Sequence, residues 1–102
     1  MTADRPVVLT QTARQDLADI WTEACKGSEA GANRLIARLL RRCDGLGRWP
    51  YSGRAMPDLG PGVRGDPAFK RMILYRVLPD SIQVLHIFHG ARDLPTATRR
   101  AR

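Results

Sequence analysis

A chain of 102 residues with 43% hydrophobic residues can build one small core and has no room for a second domain. It contains no run of about 18 apolar residues, which argues against a membrane-spanning helix, and its opening residues lack the pattern of a secretory signal, so we expect a cytoplasmic protein. Its formal net charge is +7, and residues 34–76 hold ten basic and three acidic residues, which favours a polyanion or an acidic protein as partner.

The N-terminal segment predicts an edge strand followed by a helix. The β-prone run at residues 6–10 begins with a proline, which donates no ladder hydrogen bond and therefore suits the edge of a sheet. Thr12 and Gln15 have the spacing of a capping box, so we expect the first helix to begin there. The apolar face of this helix, at helical spacing, comprises Ala13, Leu17, Ile20, Trp21 and Ala24.

A second helix is predicted after Gly27, with Ser28 as its N-cap. Because so short a connection separates the two helices, we expect an antiparallel hairpin that needs a sheet to cover its apolar faces. Cys25 and Cys43 form neither a CxxC pair nor a disulfide framework, so we interpret both as small apolar residues. The apolar stripe of the second helix comprises Ala32, Leu35, Ile36, Leu39, Leu40 and Cys43.

Residues 45–67 predict a long ordered loop, since they hold six of the nine glycines and four of the seven prolines. We expect Trp49, Pro50 and Tyr51 to pin this loop against the core. A further short strand is expected around residues 63–66. A loop of this length in so small a domain is more often functional than idle.

Two strands are predicted at residues 69–78 and 81–89, joined by a tight turn at Pro79 and Asp80. Both faces of the first of these strands are mostly apolar, and the chain has little left with which to cover the second face. We therefore expect a partner to cover it. The predicted fold is a single α+β domain over residues 1–102, in which an N-terminal strand and an antiparallel helical hairpin pack on a small, mostly antiparallel β-sheet. A short C-terminal tail from about residue 94 is expected to be prone to disorder.

The residues that carry chemistry favour binding over catalysis. His86 and His89 are three apart, which places them on opposite faces of a strand, and no third metal ligand accompanies them. We therefore expect no metal and no cofactor. Arg64, Arg71 and Arg92 are expected to converge near the loop and the sheet, where planar guanidinium groups hold phosphates or carboxylates.

Three stretches together resemble the ParE branch of the RelE/ParE toxin superfamily: "ARQDLADIW" in the first helix, "RWPYSGRAMPDLGPGVR" in the loop, and "KRMILYRVLPDSIQVLHIFHGARD" at the end. The loop carries a Pro-x-x-Gly-Arg element at Pro50, Gly53 and Arg54. The last strand ends in His-Gly-x-Arg-Asp, beginning at His89 and ending at Asp93. The resemblance spans residues 7 to 93 and rests on the order and spacing of the three stretches.

This resemblance implies the toxin of a bacterial type II toxin–antitoxin pair that inhibits DNA gyrase and is neutralised by a ParD-like antitoxin. The alternative is a ribosome-dependent mRNA endonuclease of the RelE type. In RelE-like enzymes arginines act with lysines or a carboxylate and with a C-terminal tyrosine or histidine. Arg64 and Arg92 match the arginine positions, but no lysine precedes Arg64 in its loop and no tyrosine or histidine follows Arg92. Two further alternatives are a non-toxic member of the fold and a simple nucleic-acid-binding domain.

The resemblance and the predicted apolar faces together assign two surfaces. We expect the antitoxin to cover the first helix at Leu17, Ile20 and Trp21, or the sheet at Met72 and Leu74. The target-facing surface is expected to comprise Arg64, Arg71, His89 and Arg92. For Arg92, an ion pair with the neighbouring Asp93 is an equally good interpretation.

Overall fold

The computed structural model describes residues 4–89 of the chain. The elements in chain order are β1 (Val7–Leu9), α1 (Gln11–Ala24), α2 (Glu29–Arg48), β2 (Arg54–Ala55), a 3-10 turn (Pro57–Leu59), β3 (Val63–Ala68), β4 (Arg71–Leu78) and β5 (Ser81–Phe88). They form one five-stranded sheet with the strand order β1-β5-β4-β3-β2. The predicted α+β class, with its N-terminal strand and helical hairpin, is confirmed.

The sheet is antiparallel except at β1, which runs parallel to β5. The strand predicted at residues 6–10 lies at the edge, as expected, and the additional strand expected around residues 63–66 is present as β3. Pro79 and Asp80 form the predicted two-residue turn between β4 and β5. This turn sets the register of β4 with β5 as far as the pair of Tyr75 and Val84.

Both helices begin with a side-chain cap, but only one of the two caps is where the sequence placed it. Ser28 caps α2, and its hydroxyl accepts a hydrogen bond from the Gly31 N–H at 2.8 Å. The prediction that Thr12 caps the first helix is wrong. Thr10 is the cap and accepts from the Ala13 N–H at 3.1 Å. Thr10 also donates to the Leu85 carbonyl, so its hydroxyl ties the start of α1 to β5.

The second helix is longer than its glycines suggest. It continues to Arg48, so the prediction of a loop from residue 45 is wrong for its first four residues. Leu46 is 2% exposed and continues the buried stripe of Leu39 and Cys43. A glycine costs a helix about 1 kcal/mol, and burial of a leucine side chain, at about 1.5–3 kcal/mol, outweighs that cost.

Apolar side chains are buried on both faces of the sheet. One cluster lies between the sheet and the helices and includes Leu39, Ile73 and Tyr75. On the other face lies a smaller cluster of Val63, Leu74 and Phe88, against which Met56, Leu59, Met72 and Leu85 pack. The chain therefore covers much of its second face with the segment between β2 and β3, so the expectation that it has too little chain left for this is wrong. Cover of the remainder by a partner stays a prediction.

Candidate functional site

A cleft of about 460 Å³ lies between α1 and the end of the sheet. It brings together three of the residues singled out in the sequence, namely Ile20, Arg71 and His89. The full lining comprises Asp16, Asp19, Ile20, Glu23, Arg71, Ile87, Phe88 and His89. Cationic and anionic groups therefore share the cleft, which suits a polar segment of mixed charge better than a bare phosphate.

Asp16 of α1 joins the helix to β5 at this cleft. Its Oδ2 atom accepts a hydrogen bond from the Ile87 N–H at 2.9 Å and lies 2.9 Å from Nδ1 of His86. The register of β4 and β5 shifts here, because Leu74 pairs with His86 while Tyr75 pairs with Val84. Such an irregularity re-aims neighbouring side chains and is common beside functional sites.

Arg71 follows a strained turn and is incompletely hydrogen-bonded. Phe69 and Lys70 between β3 and β4 both have positive φ angles, of 54° and 64°, which cost non-glycine residues about 1–2 kcal/mol each. Nη1 of Arg71 donates to the Phe69 carbonyl at 3.2 Å, while its buried Nε has no hydrogen-bond acceptor among residues 4–89. A buried donor without a partner is costly, so the local structure at Arg71 is destabilised by this incomplete hydrogen bonding.

Arg64 lies elsewhere, and the expected convergence of Arg64 with Arg71 is not found. Arg64 pairs with Tyr75 in the β3–β4 ladder, four residues along β4 from Arg71, which separates the two by about 13 Å. Its Nε donates to the Gly53 carbonyl at 2.9 Å, and its guanidinium carbon lies 5.3 Å from the centre of the Tyr51 ring. Arg92 lies outside the described residues.

The residues expected to bind an antitoxin differ in accessibility. Leu17 and Ile20 are half-buried against the main core. Trp21 is 37% exposed, and its Nε1 donates to Oδ1 of Asn33 at 2.8 Å. Met72 is half-buried on the second face, and Leu74 is 2% exposed beneath its neighbours. The α1 surface near Trp21 is therefore open to a partner, whereas Leu74 is not.

The loop between α2 and β2 differs from its prediction. Trp49 and Tyr51 do not pin it, since they are 65% and 62% exposed. The core instead holds it through Tyr75, whose hydroxyl donates to the Pro50 carbonyl at 2.8 Å and accepts from the Gly53 N–H at 3.0 Å. The Pro-x-x-Gly-Arg element therefore has in part a structural role, since Tyr75 binds it at Pro50 and Gly53. In the sequence, a tyrosine on the core face of a predicted strand indicates that its hydroxyl needs a buried hydrogen-bond partner.

The part of the chain that the structure describes contains no group of three histidine, cysteine or carboxylate side chains close enough to hold a metal ion. Over the same residues, neither helix is long and apolar enough to cross a bilayer.

The chain matches one family profile over nearly its whole length. A profile described as "ParE toxin of type II toxin-antitoxin system, parDE" matches residues 7–94. No curated protein matches the chain.

Two of the solved structures that share the fold come from toxin–antitoxin systems. A chain of the chromosomal ParDE TA system from P. aeruginosa superposes with a TM-score of 0.71 at 22% identity, covering 83% of this chain and 95% of that chain. A chain of the toxin–antitoxin complex RelBE2 from Mycobacterium tuberculosis gives a TM-score of 0.66 at 21% identity, covering 85% of this chain and 99% of that chain.

Proposed function

Because the chain belongs to the ParE toxin family of type II toxin–antitoxin systems, we propose that it inhibits bacterial DNA gyrase in the cytoplasm and is neutralised by direct binding of a ParD-like antitoxin. The observation that carries this proposal is the family match over residues 7–94, which includes every element of the fold. The fold resemblance to chains from both ParDE and RelBE2 does not by itself favour one target over the other.

The composition of the cleft supports a binding role for this surface. Arg71 and His89 lie among three carboxylates, those of Asp16, Asp19 and Glu23. Glu23 is in turn 3.1 Å from Lys26. A protein target offers donors and acceptors of both kinds, so a mixed lining complements it better than it complements a phosphate backbone. We assign Arg71 and His89 to the target-facing surface on this ground.

The role of Arg64 in the target-facing surface is constrained by its contacts. Its guanidinium binds the carbonyls of Gly53 and Tyr51 and lies against the Tyr51 ring. Arginine has five N–H donors, so these bonds leave others for a target. Replacement of Arg64 by alanine would disturb the loop as well as any target contact, which makes Arg71 the cleaner residue to test.

We assign the antitoxin to the α1 surface at Leu17, Ile20 and Trp21, with Met72 of the sheet as the second region, and leave out Leu74, which is only 2% exposed. An amphipathic antitoxin segment that folds on this surface would be held by apolar burial and attracted by the net positive charge. Amide hydrogen exchange with and without antitoxin tests the assignment, and the absence of new protection in either region would contradict it. Trp21→Ala is expected to weaken the complex, with Trp49→Ala as the matched control.

A second function, ribosome-dependent mRNA cleavage, is favoured by one observation. The His86–Asp16 pair, with 2.9 Å between the nitrogen and the oxygen, is a group of the type that moves protons in general acid–base catalysis. Cleavage would also need cationic stabilisation of the phosphate, for which Arg71 in the cleft is a candidate.

Two assays on the antitoxin-free protein separate these functions. Inhibition of gyrase supercoiling with stalled cleavage complexes, together with intact mRNA on programmed ribosomes, is the expected result. Codon-spaced mRNA cuts with gyrase unaffected would overturn the proposal. Arg71→Ala should weaken the observed activity, whereas Arg34→Ala, an exposed arginine of α2 that does not line the cleft, should not. Circular dichroism confirms that each variant is folded.

A further inference from the structure

The segment that follows α2 presents two large aromatic rings to solvent. Trp49 is 65% and Tyr51 is 62% exposed, although such rings normally bury most of their large apolar area. We refer to residues 49–52 as the aromatic loop. The chain has only two tryptophans and two tyrosines, and one of each is exposed within these three positions.

The aromatic loop is rigidly held despite the exposure of its rings. The Tyr75 hydroxyl fixes the backbone at Pro50 within the loop and at Gly53 directly after it. Within the loop, both the backbone N–H and the hydroxyl of Ser52 donate to the Trp49 carbonyl, at 3.2 and 2.9 Å. A ring on a fixed backbone loses little conformational entropy when a ligand stacks on it.

Arginines surround the aromatic loop. The guanidinium carbons of Arg5 and Arg64 lie 5.9 and 5.3 Å from the centre of the Tyr51 ring. Arg41 lines a groove beside Trp49. Among residues 4–89, Arg5, Arg41 and Arg64 form no ion pair, so their charges are available to an anionic partner.

The groove beside Trp49 is small. It has a volume of about 280 Å³ and is lined by Arg41, Arg42, Gly45, Leu46, Trp49 and Ser52. This is below the range of about 300–1,000 Å³ that is usual for whole ligands. A groove with an aromatic wall, an apolar floor and an arginine at its rim suits a single flat, polar ring joined to an anion.

We propose that the aromatic loop binds single-stranded DNA, with one base stacked on Trp49 and neighbouring phosphates held by Arg5, Arg41 and Arg64. Base stacking on exposed aromatic rings within a cationic surface is how proteins bind single strands without sequence preference. Duplex DNA does not fit, because its bases already stack on one another. Binding of single-stranded DNA to the aromatic loop requires neither gyrase nor an antitoxin, so its test is independent of the proposed target.

The test is binding of a fluorescein-labelled oligothymidylate to the full, antitoxin-free chain, followed by anisotropy. Trp49→Ala leaves the net charge unchanged and is expected to raise the Kd about ten-fold, since stacking of one base is worth about that factor. Phe69→Ala is the matched control, because Phe69 is also exposed and also lies beside an arginine, Arg38, with 6.0 Å between guanidinium carbon and ring centre. It is expected to change the Kd less than two-fold.

Tryptophan fluorescence distinguishes stacking from charge attraction alone. The single-tryptophan variant Trp21→Phe retains Trp49 and should be quenched by the oligonucleotide, whereas Trp49→Phe retains Trp21 and should not. Arg41→Ala should make the dependence of log Kd on log salt concentration less steep by about 0.7, the value for one phosphate on a single strand.

Three results would overturn the proposal. One is equal weakening by Trp49→Ala and Phe69→Ala, which would leave only a diffuse charge effect. Another is no quenching of Trp49 at saturation. The third is quenching of Trp49 by an acidic peptide of the same length at lower concentration than by the oligonucleotide, which would assign the aromatic loop to an acidic protein segment.

Discussion

The hydroxyl of Tyr75 accepts a hydrogen bond from the backbone N–H of Gly53, 22 residues earlier in the chain, with 3.0 Å between the two atoms. The same hydroxyl donates to the Pro50 carbonyl at 2.8 Å, and the tyrosine is fully buried. One core side chain therefore satisfies two backbone groups of the loop that follows α2. The loop is attached to β4 by this polar clamp and not by burial of its own aromatic residues.

Tyr75→Phe is expected to lower the free energy of unfolding by about 1–3 kcal/mol, because it leaves the Gly53 N–H and the Pro50 carbonyl without their partner. Urea unfolding followed by circular dichroism measures the change. Tyr51→Phe removes a hydroxyl from an exposed ring and should stay within about 0.5 kcal/mol of the native protein. Equal stability of the two variants would contradict the clamp.

Gly53→Ala should destabilise the fold through crowding. A Cβ at this position would lie 2.6 Å from the Tyr75 hydroxyl oxygen and 2.9 Å from the Gly65 carbonyl oxygen, and overpacking of this kind costs about 1–3 kcal/mol. The control is Gly45→Ala in α2, where a Cβ would meet no atom within 4 Å. That variant should be more stable than the native protein by about 0.5–1 kcal/mol, since alanine favours helix. Thermal unfolding measures the Tm of both variants, and Tm shifts of the same sign for Gly53→Ala and Gly45→Ala would contradict this interpretation.

The sequence predicted those parts of the fold that depend on local patterns. The Ser28 cap, the helical hairpin, and the Pro79–Asp80 turn all follow from short-range spacing, and the structure confirms them. The extension of α2 was missed because Gly45 and Gly47 lower helix propensity, whereas burial of Leu46 and close approach of Gly47 to the β1 segment decide the outcome. Tertiary packing routinely overrides propensity in this way.

The candidate site was harder to predict because it depends on distant contacts. His86 and Asp16 are 70 residues apart, and nothing in either local pattern links them. Arg71 and His89 were both assigned to a target-facing surface, but the cleft that they line was not predicted. The separation of Arg64 from Arg71 follows from the register of β3 with β4, which the sequence does not specify. The pairing register of two strands decides on which surface each side chain lies, so arginines in similar sequence patterns can lie on different surfaces.

The ion pair between Arg42 and Asp66 predicts a third effect on stability. Asp66 is 6% exposed in its side chain, and its two oxygens accept from Nε and Nη2 of Arg42 at 2.7 and 2.9 Å. Hydrogen bonding to Asp66 raises the pKa of Arg42 above its ordinary value. Arg42→Ala leaves a buried carboxylate without its fork of donors, so unfolding should require about 1–3 kcal/mol less.

Two variants serve as controls for the Arg42–Asp66 pair. Arg41→Ala removes an exposed arginine that has no ion pair within residues 4–89 and should change stability by less than about 0.5 kcal/mol. The free energy of unfolding of Arg42→Lys should lie between those of Arg42→Ala and Arg41→Ala, because an ammonium group keeps the charge without the planar fork of donors. If Arg42→Ala proves no worse than Arg41→Ala in urea unfolding, the pair contributes nothing.

Cys43 should be unreactive in the folded protein. Burial, reinforced by the charges of Asp44 and Asp66, raises the pKa of the Cys43 thiol to about 12, and the thiolate is the reactive form. At pH 8 iodoacetamide should therefore label Cys25, which is only half-buried, well before Cys43. Labelling of Cys43 faster than global unfolding, as read by mass spectrometry of peptides, would contradict its burial.

The same thiol should make stability depend on pH. Because the folded-state pKa of about 12 lies above the ordinary thiol value of 9.0, the folded protein holds the Cys43 proton more tightly than the unfolded chain does. The resulting stabilisation is complete below pH 9 and is lost as the pH rises from 9 towards 12, with a slope of at most about 1.4 kcal/mol per pH unit. Urea unfolding at pH 8 and pH 10.5 measures this loss, and the comparison with Cys43→Ala removes the contribution of other titrating groups. The native protein should lose more stability over this interval than the variant, and parallel losses would show that the Cys43 proton is not linked to folding.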